Sequence, residues 1–375
     1  MSTIKPTNTT VWQTSGGDNS RRGLFNSAIN IAPKPKRRLK TQGSIQTPVI
    51  FDQHGTAFVT DMAGGVQAYC PEGNPIWSIQ LDSGISAAPV LQTDDERLFV
   101  GTHNGMVYAL NASNGKEIWH KEIPSKQDTR ILSDFLFNQK NNTIVLNSWG
   151  GKFYSLNAKN GDVKNSWDAG ISPYAGASAN RDGELYCLRA VWDKGIQFVR
   201  IGIDGQEKTL FQHDQQKKPA TRLTVSAEPV LDEEAGVIYF ITNIDQKSYL
   251  NAWSIKNEKI LWKRSFAKYI YATPTLLTNG AIIIADLNGD VHAISQDNTR
   301  LYRYATGCEY LLSSAVSDAN DNVYIGDPLG KIHKIKINDI GKPFFEAERS
   351  IQARPSIDKE GSLYMPSTDT YVYVF

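Results

Sequence analysis

Tyr108-Ala-Leu-Asn-Ala-Ser-Asn-Gly-Lys-Glu-Ile-Trp119 decides the fold, because the chain repeats it in worn form about every 40 residues, with Trp77, Trp119, Trp167 and Trp262 each closing a copy. A fixed period of this size belongs to an array of small units, not to a single-site globular enzyme. Around the quoted phrase, one unit reads as four strands. Ser86-Ala-Ala-Pro-Val-Leu91 is short, small and apolar. Arg97-Leu-Phe-Val-Gly101 and Met106-Val-Tyr-Ala-Leu110 are joined at His103-Asn-Gly105, where Asn-Gly supplies the positive φ of a tight turn. Glu117-Ile-Trp119 begins a fourth strand. Four antiparallel strands in about 40 residues is the size of one propeller blade.

The first strand of the unit recurs near Pro48, Pro89, Phe135, Gly176, Pro229, Pro274, Ala315 and Pro355, which makes eight blades. Its small residues suit the innermost position, where strands crowd around the axis. The last copy has only Gly361-Ser-Leu-Tyr-Met365 and Thr370-Tyr-Val-Tyr-Val-Phe375 after its first strand, so it lacks an outer strand. Residues 35–41 form a spare strand at the other terminus. Pairing the two closes the ring and removes an open sheet edge. The expectation is an all-β, eight-bladed propeller of four-stranded antiparallel blades. Residues 1–34 form a lead-in, and residues 35–375 form a single propeller with 35–41 closing blade 8.

Composition excludes several classes. The chain has 375 residues, 40% hydrophobic, 21% charged, with net charge +1, which is globular composition without an electrostatic case for nucleic acid. No apolar run is long enough for a membrane helix. Cys70, Cys187 and Cys308 are odd in number and far apart, against a disulfide framework. The polar start, Met1 to Thr10, lacks the features of a signal peptide, and a cytoplasmic location is expected from it.

The phrase Ala109-Leu-Asn-Ala-Ser-Asn-Gly-Lys-Glu-Ile-Trp119, its weaker copy Ser155-Leu-Asn-Ala-Lys-Asn-Gly-Asp162 and the opening Trp12-Gln-Thr-Ser-Gly-Gly-Asp-Asn-Ser-Arg-Arg-Gly23 resemble the PQQ-like β-propeller repeat family. That family includes quinoprotein dehydrogenases and the outer-membrane assembly propeller BamB. The resemblance implies a propeller across nearly the whole chain, with the Trp residues packing between blades. It leaves activity open, since one fold hosts many functions. The dehydrogenases carry a vicinal Cys pair, a bound Ca²⁺ and an acidic base. No two Cys are adjacent here, so no quinone cofactor is expected.

Other chemical signatures also reduce to structure. Gly-x-Ser-x-Gly is absent, and no Gly-Lys pair is followed by Ser or Thr. Asp286-Leu-Asn-Gly-Asp290 and Asp318-Ala-Asn-Asp-Asn322 lack the full calcium-loop spacing and read as turns, so no metal is expected. Asp61, Thr102, Ser148, Asp286, Asp327 and Ser367 share one register position at the end of the second strand, where a short polar side chain stabilises its own hairpin. His292 and His333 occupy the position of Tyr108, Tyr154 and Tyr373 and read as packed rings.

Function is read from the exceptions to the repeat. In a four-stranded blade the second-to-third hairpins and the blade-to-blade connections share one face. The chain exceeds the minimal unit at 125–133, 189–195, 212–222 and 243–248, all on that face around blades three to five. Insertions on a rigid scaffold are where binding concentrates. Arg130, Trp149, Arg189, Trp192 and Arg222 are placed there, and Glu228, Tyr269, Tyr271, Glu309 and Tyr310 near the axis. Trp and Arg are enriched at binding hot spots. The expected function is a monomeric, non-catalytic scaffold or adaptor binding a protein or peptide partner through this face. The alternative is an enzyme or a small-molecule or glycan binder with its pocket at the axial mouth.

Overall fold

A computed structural model describes residues 12–94, 96–124, 128–171, 174–192, 194–213, 223–337, 339 and 341–375. Every regular element in it is a strand, and the strands form eight small antiparallel sheets. Blade 2 is representative: Val90–Gln92 innermost, then Arg97–Gly101, Met106–Asn111 and the outer Glu117–Glu122, each paired to the next. In every blade an innermost-strand segment begins one to two residues after the marker read from the sequence. Blade 8 closes as expected. Arg37–Lys40 pairs antiparallel with Tyr371–Val374, Arg38 opposite Tyr373.

The second and third strands are buried on both faces, as Ala57–Thr60 and Gly65–Tyr69 illustrate, because blades stack face to face. Outer strands alternate, as in Arg300–Ala305. A β-bulge recurs between the third and outer strands of blades 1 to 7. In blade 2, Ala109 faces Trp119 and Leu110 faces Glu117, which leaves Ile118 unpaired and re-aims Trp119. Ile76, Ile118, Leu261 and Leu301 are bulged residues of this kind, which accounts for four of the large apolar side chains left exposed.

The repeated Trp staples neighbouring blades. Trp77 Nε1 donates to Ala112 O (2.9 Å), Trp119 to Ala158 O (3.1 Å), Trp167 to Gly205 O (2.9 Å) and Trp262 to Gln296 O (2.7 Å), each acceptor lying in the next blade. This is the inter-blade packing that the resemblance implied.

The lead-in is more than an approach to the ring. It lies across the end of the channel opposite the hairpin face, where the innermost strands finish. Its carbonyls accept amides from six blades: Trp12 from Phe51, Gln13 from Leu91, Asn19 from Ala179, Ser20 from Leu231, Arg22 from Leu276 and Gly23 from Ser317, at 2.8–3.0 Å. The other two blades are reached through side chains. Thr14 Oγ1 donates to Phe135 O (2.8 Å) in blade 3, and Arg354 of blade 8 donates to Arg21 O. Segment 12–23 therefore closes one end of the axis and ties all eight blades.

Candidate functional site

Closure at one end leaves the loop-rich end as the open mouth. Blades 4 and 5 stand tallest there. Leu185–Val191 pairs with Gly195–Ile201, and Val237–Ile244 pairs with Lys247–Ser254 across a turn at Asp245 and Gln246, both at positive φ. Blade 5 splits its innermost strand into Leu223–Thr224 and Val230–Asp232, both pairing the same long second strand.

Two features share this end. The first is a rim of aromatic and cationic side chains. Arg130 lies over the Trp149 ring at 5.5 Å, and Trp149 meets Tyr174 edge-on at 4.4 Å. The backbone fixes the pair, since Trp149 N donates to Arg130 O (2.8 Å). Asp128 holds the guanidinium at 2.5 Å. Trp192, 75% exposed, sits at the hairpin turn of blade 4. Among the described residues, the exposed large aromatics are Tyr174, Trp192 and Tyr310, and all three lie on this face, as do the exposed Ile171, Leu312 and Leu329.

The second feature is an axial cavity of ≈ 540 Å³, with Asp134, Glu228, Thr273, Ser314 and Arg354 low in it and Tyr174, Tyr271 and Leu312 around it. Each of the low residues directly precedes an innermost-strand marker, and hydrogen bonds link them from blade to blade. The Ala88 amide donates to Asp134 Oδ1 (2.8 Å), the Glu228 amide to Thr273 Oγ1 (3.2 Å) and the Thr273 amide to Ser314 Oγ (2.8 Å). Glu228 Oε2 accepts the Thr273 hydroxyl. Burial, and then the Glu228 carboxylate, raise the Asp134 carboxyl above its ordinary value. Burial pushes the Arg354 guanidinium down to about 10.

Not every expected site residue joins these features. Arg130, Trp149 and Trp192 lie on the rim, and Glu228 and Tyr271 line the cavity. Glu309 and Tyr310 are exposed on the connection between blades 6 and 7, outside the cavity lining. Tyr269 packs on Tyr271 at 5.9 Å, and its hydroxyl accepts the Gln246 amide, so it steadies the blade 5 hairpin. Arg189 is in a strand, not a loop. It is spent on Gln197, Asp168 O and an ion pair with Glu207 at 2.8 Å. Arg222 lies outside the described residues. Sequence reasoning missed Asp134, Tyr174, Thr273 and Arg354. Reading the repeat one residue upstream of its markers would have found three of them.

The acids and histidines of the hairpins are structural. Asp286 Oδ1 accepts the Asn288 and Asp290 amides, and its Oδ2 meets His292 Nε2 at 2.9 Å. Asp327 does the same with Leu329, Lys331 and His333. Asp286, Asp290 and His292 could together approach a metal ion, but Asp290 is also held by Arg303 at 2.7 Å. Tyr108 and Tyr373 use the equivalent position to bond Asp82 (2.9 Å) and Asp369 (2.7 Å). The axial cavity does not fit a quinone cofactor of the dehydrogenase type. Its lining contains no cysteine, and the three cysteines lie in separate blades.

Comparison with known proteins places the chain. A protein-family model described as outer membrane protein assembly factor BamB matches residues 2–190. The outer membrane protein assembly factor BamB of Yersinia pestis is 22% identical over 338 residues, covering 84% of this chain and 78% of that protein. The crystal structure of BamB from Moraxella catarrhalis superposes with a TM-score of 0.70 at 16% identity, over 91% of this chain and 96% of that one. The quinohemoprotein alcohol dehydrogenase of Comamonas testosteroni superposes at 0.77 with 12% identity, over 96% and 76%, a likeness of fold alone. The expected cytoplasmic location is overturned, because the matched relatives are by name outer membrane protein assembly factors. That expectation stood on Met1 to Thr10, which lie outside the described residues, and a polar start does not fix a compartment. The family model spans half of the chain, and the chain belongs to the outer membrane protein assembly factor BamB family.

Proposed function

We propose that this protein is a non-catalytic scaffold in the assembly of outer membrane proteins, and that it docks a partner protein through the loop-rich face around blades 3 to 5. The observation that carries the reading is the segregation of exposed aromatic side chains to that face. Tyr174 and Trp192 stand there and Tyr310 stands on the same face between blades 6 and 7, with Arg130 and Trp149 joined through the backbone and Tyr174 packed on the Trp149 ring. Aromatic and Arg anchors of this kind dominate binding energy when a partner covers them. Their order in the free protein lowers the entropy lost on docking. The opposite end is occupied by segment 12–23.

The test is complementation. In a strain of the native host lacking this protein, the amount of folded outer-membrane β-barrel protein is measured. The wild-type chain is expected to restore it. Trp149→Ala combined with Trp192→Ala is expected to fail while accumulating as folded protein. Full restoration by the double variant would contradict the siting. The axial cavity favours a second reading, a small ligand or glycan held at the mouth. A saturable rise in melting temperature with one member of a sugar panel, without any dependence of barrel assembly on the rim, would carry that reading instead.

A further inference from the structure

The hydrogen-bonding inventory of the axial cavity is one-sided. Arg354 lines its floor and bonds Arg21 O, and the donors of both arginines are directed into the protein. Arg21, fully buried, sends Nε to Ala177 O, Nη1 to Thr14 Oγ1 and Ser15 O, and Nη2 to Phe135 O. Arg354 sends Nε to Ala315 O, both terminal nitrogens to Arg21 O, and Nη2 to Thr275 Oγ1. These acceptors belong to the lead-in and the inner strands.

The acceptors in the cavity are differently placed. Glu228 is only 6% exposed, and one carboxylate oxygen takes the Thr273 hydroxyl. Asp134, a second carboxyl, also lines the cavity. Thr224 Oγ1, also on the wall, is buried without a partner. A buried carboxylate on a cavity wall favours a charged donor, because an ionic hydrogen bond strengthens as water is excluded. Tyr174 and Tyr271 add aromatic faces, and Leu132 and Leu312 add apolar wall. Aromatic faces attract cations and pack against aliphatic stems. The space of ≈ 540 Å³ falls within the range of roughly 300–1,000 Å³ for ligand sites. It is larger than one side chain and leaves room for flanking backbone.

We propose that the axial cavity receives one arginine or lysine side chain from an extended segment of the docked protein, with Glu228 as counter-ion and Tyr174 and Tyr271 flanking its stem. The peptide source is favoured by continuity. Tyr174 lines the cavity on one side and meets Trp149 of the rim on the other. The proposal rests on the reading that this face docks a protein, and its test separates the two.

The full chain is titrated by NMR with acetyl-Gly-Gly-Arg-Gly-Gly-amide and with the same peptide carrying citrulline, its neutral isostere. The arginine peptide is expected to bind saturably and the citrulline peptide at least tenfold more weakly. Glu228→Gln is expected to weaken the arginine peptide at least tenfold. Because a buried substitution can unfold the chain, Leu312→Trp serves as a second variant. Leu312 is exposed at the mouth, and the larger ring fills the entrance without touching the buried charges. It is expected to block the peptide with the melting temperature unchanged. Trp192→Ala, outside the cavity, is expected to leave peptide binding intact, so loss of partner docking with retained peptide binding tests the docking reading alone. Absence of saturable binding, equal binding of the citrulline peptide, or indifference to Leu312→Trp would overturn the proposal. Equal binding by spermidine would overturn the peptide assignment.

Discussion

Trp77 Nε1 lies 2.9 Å from the carbonyl of Ala112 in the next blade, and the same indole fills the space that a side chain at Gly115 would need. A Cβ at Gly115 would lie 2.6 Å from the ring, and the residue has φ +71. The Gly and Trp of the repeated phrase therefore serve each other across blades, not within one. Gly115→Ala should cost about 2–3 kcal/mol from overpacking and left-handed backbone together. Trp77→Phe, which keeps most of the ring but loses the donor, should cost about 1 kcal/mol. Urea denaturation of the two variants checks both values. A neutral Gly115→Ala would show that the staple yields freely.

Arg21 should be the most sensitive position in the lead-in. Its guanidinium joins Thr14, Ser15, Phe135 and Ala177 in a fully buried site, and its own carbonyl takes Arg354. Arg21→Met removes the charge and leaves buried acceptors unpaired, each costing about 1–3 kcal/mol. A loss of at least about 3 kcal/mol in denaturant unfolding is expected, with an added loss of amide protection at Leu91 and Leu231, whose N–H groups bond the lead-in. An Arg21→Met protein with wild-type stability would show that the lead-in does not brace the ring.

Acid sensitivity should follow the two Asp–His hairpins. Burial alone would raise the Asp327 carboxyl, but the His333 hydrogen bond and the Lys331 and Leu329 amides override it and hold the group below its ordinary value. Asp286 is lowered in the same way by His292 and the Asn288 and Asp290 amides. A carboxyl depressed in the folded state adds stability that is present above its unfolded pKa of about 3.9 and is lost as pH falls through the folded value. Stability should therefore drop as pH falls below about 4, and Asp327→Asn should be less stable at pH 7 but flatter across that window. Denaturation midpoints from pH 2 to 7 check this. An identical slope in the variant would contradict the assignment.

The propeller was legible in the sequence because its punctuation is local. Asn-Gly turns, the small innermost run and the Trp that ends each phrase all act within about 40 residues or on the adjacent blade. Blade 8 was legible too, since an apolar last strand without a partner needs the spare strand at Arg37–Lys40. The site was only half legible. Arg130 and Trp192 stand out as large side chains on insertions and Trp149 on the hairpin beside them, but insertion alone did not reveal that Arg189 lies within a strand and is consumed by Glu207. Asp134 and Arg354 were hidden because their meaning is radial. Five residues far apart in sequence, Asp134, Glu228, Thr273, Ser314 and Arg354, converge on one axis only after the ring closes. The bracing role of the lead-in was hidden for the same reason, since its partners are six amides spread from Phe51 to Ser317.

The proposed docking face is tested by placing a photo-reactive amino acid, one site at a time, at Ile171 and Trp192 on the loop-rich face, Ile203 on the opposite face and Ile76 on the outer strand of blade 1, in the native host. All four side chains are exposed, so none is disfavoured by burial. Crosslinks from 171 and 192 to one and the same protein, with none from 203 or 76, is the predicted result. Crosslinks from 203 or 76 with silence at 171 and 192 would contradict it.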